Sequence, residues 1–216
     1  MARPLAESLD NSLVKLGDRM NSNRPLDPLP TEHWDSSLIQ VIEDMKGDPI
    51  NVHKLMAHNP ALLNAWWDFR NHSVNGGALG KRLGELVILR VAIHMRAWYE
   101  WGSHVERGLA CGLTLEEIER IKAEPRPEQW SDKEYLLLLA VDELITRHGL
   151  SPELLAKLQD CYSDAELMDL IAIHGMYVIL GCMINTWGLE LDEHVREKLP
   201  PGITRDGFES QVPSKD

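Results

Sequence analysis

One short run concentrates the residue types that move protons. In Trp98-Tyr99-Glu100-Trp101-Gly102-Ser103-His104 a carboxylate stands four residues before an imidazole, in an apolar context. On a helix such an i,i+4 pair shares one face. A carboxylate beside an imidazole raises its basicity and fixes its orientation, which makes a general acid or base near neutral pH. His104 is therefore the candidate acid/base, with Glu100 as its orienting partner or proton shuttle. The plain alternative is a surface pair that adds a few tenths of a kcal/mol to its helix. Two ligands are too few for a metal site, and no HExxH or CxxC stands nearby. No phosphate loop, nucleophile elbow or dinucleotide fingerprint occurs either. The expectation is no bound metal and no organic cofactor.

Glu85 is the second carboxylate of interest, lying among Leu83, Leu86, Val87 and Ile88. It could complete a relay with His104, or simply complement a helix dipole from the first turn. In one unbroken helix the two would lie about 28 Å apart, too far to cooperate. They meet only if the chain turns between His94 and Trp98, where there is neither Gly nor Pro. Tyr99, Arg90 or Arg96 could bind a substrate carboxylate, and Trp98 and Trp101 could wall off water. His174 interrupts a very apolar stretch and is a further binding candidate, while His53 and His94 read as hydrogen-bonded structural residues.

The elements that would position these groups all have helical signatures. Asn59-Pro60 caps a helix that continues through Arg70, Ser73-Val-Asn-Gly-Gly is a turn, and Leu83 to Met95 is apolar at helical spacing. Trp98 to Cys111 runs on to a stop at Gly112. Three capping boxes, Thr114/Glu117, Ser131/Glu134 and Ser163/Glu166, open further helices, the last reaching Trp187 before Gly188. Ser151-Pro152 opens a short one between them. No alternating run bounded by hairpin turns is present, so the fold class is all-α. Residues 1–30, punctuated by four prolines, read as an N-terminal arm in which only Leu9 to Met20 could form a helix. Residues 31–199 read as one helical domain, and 200–216 as a flexible tail.

Composition narrows the function classes. The chain has 216 residues and a net charge of −12, which opposes bulk binding to nucleic acid or an anionic membrane. No apolar run is read as approaching the ~18 residues of a membrane span, and the first ten residues lack the apolar stretch of a secretory signal. Three cysteines without a close pair fit a reducing, cytoplasmic compartment. Seven Trp against two Phe supply flat apolar area for a core, pocket or interface. The apolar content suggests a homo-oligomer, with Trp66-Trp67 and the helix from Asp164 to Trp187 as contact elements.

Glu85-Leu-Val-Ile-Leu-Arg-Val-Ala, Trp98-Tyr-Glu-Trp-x-x-His104 and Gly112-Leu-Thr-x-Glu-Glu-Ile, with Trp130-Ser-Asp, Asp142-Glu-Leu, Gly175-x-Tyr177 and Asn185-Thr-x-Gly188-x-x-Leu191-Asp192, form a wider pattern. Over residues 50 to 195 the chain resembles the carboxymuconolactone decarboxylase family of the alkyl hydroperoxidase D-like superfamily. The resemblance implies an all-helical fold, assembly as a homo-oligomer and a site near subunit contacts. In the peroxidase branch a Glu, a Cys-x-x-Cys and a His form a relay. Carried over, the Glu is Glu85 and the His is His104, while the cysteine positions fall on Ala97 and Glu100. A thiolate relay is thereby lost. What remains is a cofactor-independent, decarboxylase-like lyase acting by acid–base chemistry on a small organic acid or lactone, of the kind met in aromatic-compound catabolism. A thiol-dependent peroxidase-like protein and a non-catalytic oligomeric binding protein are the alternatives.

Overall fold

The computed structural model describes residues 26–211. Every regular element among them is helical. In chain order the helices are α1 (Ile39–Asp44), α2 (Asn51–Met56), α3 (Pro60–Ser73), α4 (Lys81–Met95), α5 (Trp98–Ala110), α6 (Leu115–Arg120), α7 (Asp132–Arg147), α8 (Pro152–Gln159), α9 (Asp164–Trp187), α10 (Glu193–Arg196) and α11 (Arg205–Gln211). The expected starts are explained by their caps. Asn59 accepts the Leu62 N–H, and Thr114, Ser131 and Ser163 each close a reciprocal capping box.

Helix α4 is the axis of the fold. It packs against α5, α7 and α9, and an unbroken run from Gly84 to Ile93 is buried on all sides. Such a helix needs partners all round, which explains its lack of polar stripe. Its close approach to α9 depends on Gly181, where a Cβ would come within 3.0 Å of the Met95 side chain.

The turn between α4 and α5 is made without Gly or Pro. Arg96 takes a left-handed conformation, φ 53°, and its N–H closes the end of α4 on Ala92 and Ile93. A side chain there costs roughly 1–2 kcal/mol, which the packing of the two buried helices must offset. The reversal folds α5 back along α4 and brings the Glu85 and His104 levels together.

Three expectations are corrected. Helix α9 is long and apolar enough, by length and composition alone, to cross a membrane, contrary to the reading that no run approaches that length. Half of it is buried against the rest of the domain, and it packs on α3, α4 and α7 as a core helix. Residues 26–30 of the expected arm are docked. The Leu29 N–H donates to the Lys54 carbonyl, the Trp34 indole donates to the Leu29 carbonyl, and Leu26 and Leu29 pack on the core. The possible helix from Leu9 to Met20 lies outside the described residues. Finally, residues 200–211 are not a loose tail. Helix α11 seats Phe208, 1% exposed, against the rings of Trp98 and Trp101.

Candidate active site

Glu85 sits on the second turn of α4 and His104 on the middle turn of α5. Both are buried, and His104 Nδ1 lies 2.6 Å from Glu85 Oε2. The other Glu85 oxygen accepts from Arg107 Nε at 3.0 Å, one turn after His104 on α5. Arg107 also donates to the Val74 carbonyl at 3.0 Å. Burial works to raise the Glu85 carboxyl, but His104 and Arg107 outweigh it and hold it below its usual range. An ionised Glu85 can only accept, so Nδ1 of His104 carries the proton and Nε2 presents its lone pair.

Two groups meet that lone pair. The Tyr177 hydroxyl, from α9, lies 3.1 Å from Nε2. Glu100 Oε2 lies 3.5 Å from the same nitrogen. Glu100 is 3% exposed, and its second oxygen has no hydrogen-bond partner. Desolvation pushes its carboxyl up to about 8; Arg107 opposes this and Glu85 adds to it. Burial likewise lowers the His104 imidazole, with Glu85 only partly offsetting it. At neutral pH the site thus holds a protonated carboxyl beside a neutral imidazole. A carboxylate is the orienting partner of His104, but it is Glu85 on Nδ1. Glu100 stands on the reactive Nε2 side instead.

These groups open onto a cavity of about 210 Å³. Its apolar wall includes Val52, Trp66, Met176 and Leu180, and its polar lining includes Arg70, Ser103 and His53. Tyr99 lines it too, but its hydroxyl is engaged. It donates to Asp192 Oδ2 at 2.6 Å and accepts from the Val52 N–H at 3.2 Å. Asp192 also takes the Asn51 N–H at 2.9 Å, so this knot ties α2, α5 and the segment before α10 together beside the cavity. Tyr99→Phe strands the buried Asp192 oxygen and the Val52 N–H. The expected loss is about 1–3 kcal/mol of stability, read by urea denaturation; an unchanged midpoint would show the knot to be idle.

The remaining binding candidates lie elsewhere. Arg90 grips Asp142 at two points, 2.6 and 2.8 Å, and donates to the carbonyls of Ile121 and Ala123. It pins the loop after α6 and has no face toward the cavity. Arg96 makes the α4–α5 turn with its backbone and is not among the cavity lining. Trp101 is fully buried, with Lys122 Nζ 5.1 Å from its ring and Phe208 packed against it. Trp98 packs on Phe208 as well, so neither indole walls the cavity. His174 is half-buried on α9, outside the lining, with Nε2 unpartnered. His53 was read as a hydrogen-bonded structural residue, yet it lines the cavity and its Nδ1 has no partner.

Trp66 and Trp67, expected at a subunit contact, are buried within the single chain, 7% and 5% exposed. Trp67 donates its indole N–H to Asp44 at 2.6 Å, and Trp66 faces the cavity.

None of the three thiols is within the cavity lining. Cys111 lines a second hollow together with Glu85 and Arg107, and burial raises its thiol. No group of three or more His, Cys, Asp or Glu residues among those described is arranged to hold a metal ion.

The carboxymuconolactone decarboxylase family model matches residues 60–142, from the start of α3 into α7, which includes Glu85, Glu100, His104 and Arg107. No curated protein matches the chain. Several solved structures share its fold. An uncharacterized peroxidase-related protein of Silicibacter sp. TM1040 superposes with a TM-score of 0.65 at 17% identity, over 80% of this chain and 92% of that one. An uncharacterized peroxidase-related protein of Ralstonia eutropha JMP134, an alkylhydroperoxidase AhpD core, gives 0.63 at 18% identity over 80% and 95%. The debrominase Bmp8, solved with 2,3,4-tribromopyrrole, gives 0.66 at 15% identity over 82% and 96%. Residues 60–142 thus match the carboxymuconolactone decarboxylase family, and the chain shares its all-helical fold with these solved structures.

Proposed function

We propose that the protein is a cofactor-independent, decarboxylase-like lyase that moves a proton to or from carbon in a small organic acid or lactone. The observation that carries this reading is the Glu85–His104 dyad at 2.6 Å, whose Nε2 meets Glu100 and the Tyr177 hydroxyl at the edge of a mainly apolar cavity. A substrate with its own carbonyl beside the scissile bond supplies the electron sink. Loss of CO2 leaves the bonding pair in an enolate. Glu100 can deliver the proton to carbon, and His104 Nε2, 3.5 Å away, relays its replacement from solvent. The Tyr177 hydroxyl can donate a hydrogen bond to the enolate oxygen, a stabilisation that grows as charge develops. In the reverse sense, His104 Nε2 is placed to take a proton from carbon, with Glu85 stabilising the imidazolium that forms. The same parts would serve an isomerisation or lactone opening, so substrate chemistry selects the outcome.

A homo-oligomer in the cytoplasm belongs to the same reading. Met168, Ile171 and Ile179 stand exposed along one face of α9, at 69%, 45% and 45%, which supports a contact there. The three cysteines include no disulfide, consistent with a reducing compartment.

The test is a screen of small unsaturated carboxylic acids and lactones in D2O, followed by mass spectrometry and headspace CO2. The expected result is a product bearing one carbon-bound deuteron with wild type and none with His104→Ala. A panel on which wild type and His104→Ala give identical traces would overturn the reading.

A further inference from the structure

We infer that Arg70 is the anchor for the substrate's carboxylate, and that the cavity takes a compact acid with an apolar, ring-sized body. This rests on the acid–base reading for what happens next, but not for the binding itself.

Arg70 closes the last turn of α3 and lines the cavity. Its guanidinium lies over the Trp67 ring at 5.0 Å and donates to the Asn71 side chain at 2.9 Å. No carboxylate among the described residues pairs with it. Asp44, whose charge reaches it, is spent on the Trp67 indole at 2.6 Å and on Gln40 at 2.8 Å. By contrast, the other cavity guanidinium, Arg107, is committed to Glu85. A partly desolvated guanidinium with its planar fork held in place and no anion is built to receive one bidentately.

A second observation points the same way. His53, 3% exposed, lines the same cavity, and its Nδ1 makes no hydrogen bond. Its imidazole is held in an edge contact with Trp67 at 5.0 Å. Desolvation, with Arg70 beside it, pushes it down to about 3, so it brings a neutral donor and acceptor and no competing charge. A buried polar atom left unpaired costs about 1–3 kcal/mol, a cost that a polar ligand atom removes. The anchor therefore lines the same cavity as Glu100 and His104, with Val52, Trp66, Met176 and Leu180 among the apolar wall.

Size sets the body. A cavity of about 150 Å³ accommodates benzene, so 210 Å³ suits roughly eight or nine non-hydrogen atoms by proportion. Benzoate is the natural probe, and benzamide is its uncharged isostere.

Isothermal titration calorimetry on the full chain near pH 7 tests this with both probes. The expected result is that wild type binds benzoate about 10–100-fold more tightly than benzamide, the margin of a charge-assisted pair. Arg70→Met should abolish that preference while benzamide binding stays. Arg70→Lys, which keeps the charge and loses the fork, should retain only part of it and covers the case in which Arg70→Met does not fold. His104→Ala should still prefer benzoate. Equal affinity of wild type for the two probes, binding of neither, or an unchanged preference in Arg70→Met would overturn the anchor. Those outcomes leave the deuterium test of the acid–base reading untouched, so the two ideas fail separately.

Discussion

His104→Ala lowers turnover by about 10²–10⁴-fold, the usual loss when a general acid or base is removed. Glu85→Gln loses at least about tenfold, because an amide can present the wrong atom to Nδ1 and no longer stabilises an imidazolium. The Glu85→Gln/His104→Ala double variant is little worse than His104→Ala, since groups that act as one unit are non-additive. Steady-state kinetics on the substrate found by the deuterium screen measure all three. Losses that multiplied in the double variant would mean that the two residues work separately, although they stand 2.6 Å apart. Stability needs a parallel check. Both side chains are buried, so removing either one leaves a buried polar partner to be satisfied. Glu85 keeps Arg107 when His104 is removed, and His104→Gln offers it a replacement donor should the alanine variant unfold.

Glu100→Gln is the second large effect, and it appears in both activity and stability. The proposed mechanism requires Glu100 protonated and His104 neutral. Activity therefore falls as pH rises through about 8, where Glu100 ionises. On the acid side it falls only below the ordinary imidazole range, because burial lowers the His104 value. Glu100→Gln loses the proton donor and with it the alkaline limb. For stability, the folded carboxyl titrates near 8 and the unfolded one near 4.5. Between those values the folded state binds the extra proton, so its stabilising contribution is complete below pH 4.5 and is lost as pH rises through 8. The expected loss between pH 5 and pH 8 is on the order of 3 kcal/mol. Urea denaturation of wild type across that range should show the decline, and Glu100→Gln should lack it. Parallel pH profiles for the two proteins would show that Glu100 is ionised in the fold at neutral pH.

The helices were legible because their ends carry local chemistry. Ser131, Ser163, Thr114 and Asn59 each hydrogen-bond an N–H within the first turn, a contact that spacing alone reveals. The joint between α4 and α5 was not legible as a turn, because Arg96 adopts φ 53° without being glycine. Only the packing of α4 and α5 makes that affordable, so the meeting of Glu85 and His104 was a condition in the sequence and is a contact in the structure. The i,i+4 spacing of Glu100 and His104 placed them on one face, but the division of labour between Glu85 and Glu100 depends on which nitrogen each reaches. That is tertiary geometry.

Arg107 had a sequence signal, standing three residues after His104 on the same helix. Tyr177 and Arg70 had none of that kind, since α9 and α3 come to the cavity from far along the chain. Arg90 drew attention as a cation able to hold a substrate carboxylate. Its partner Asp142 is 52 residues away, so a buried ion pair looked like an open binding group. Helix α11 is short, and Phe208 is its only buried residue, too little for any period to register.

The central claim is that His104 stands as a neutral imidazole, protonated on Nδ1 toward Glu85 and with its Nε2 lone pair free to act. Nitrogen-15 NMR of histidine-labelled protein at pH 7, assigned with His104→Gln, reads the two ring nitrogens directly. The account predicts a protonated Nδ1 and an unprotonated Nε2 for His104, with the preference weakened in Glu85→Gln. An imidazolium, or the tautomer with the proton on Nε2, would contradict it.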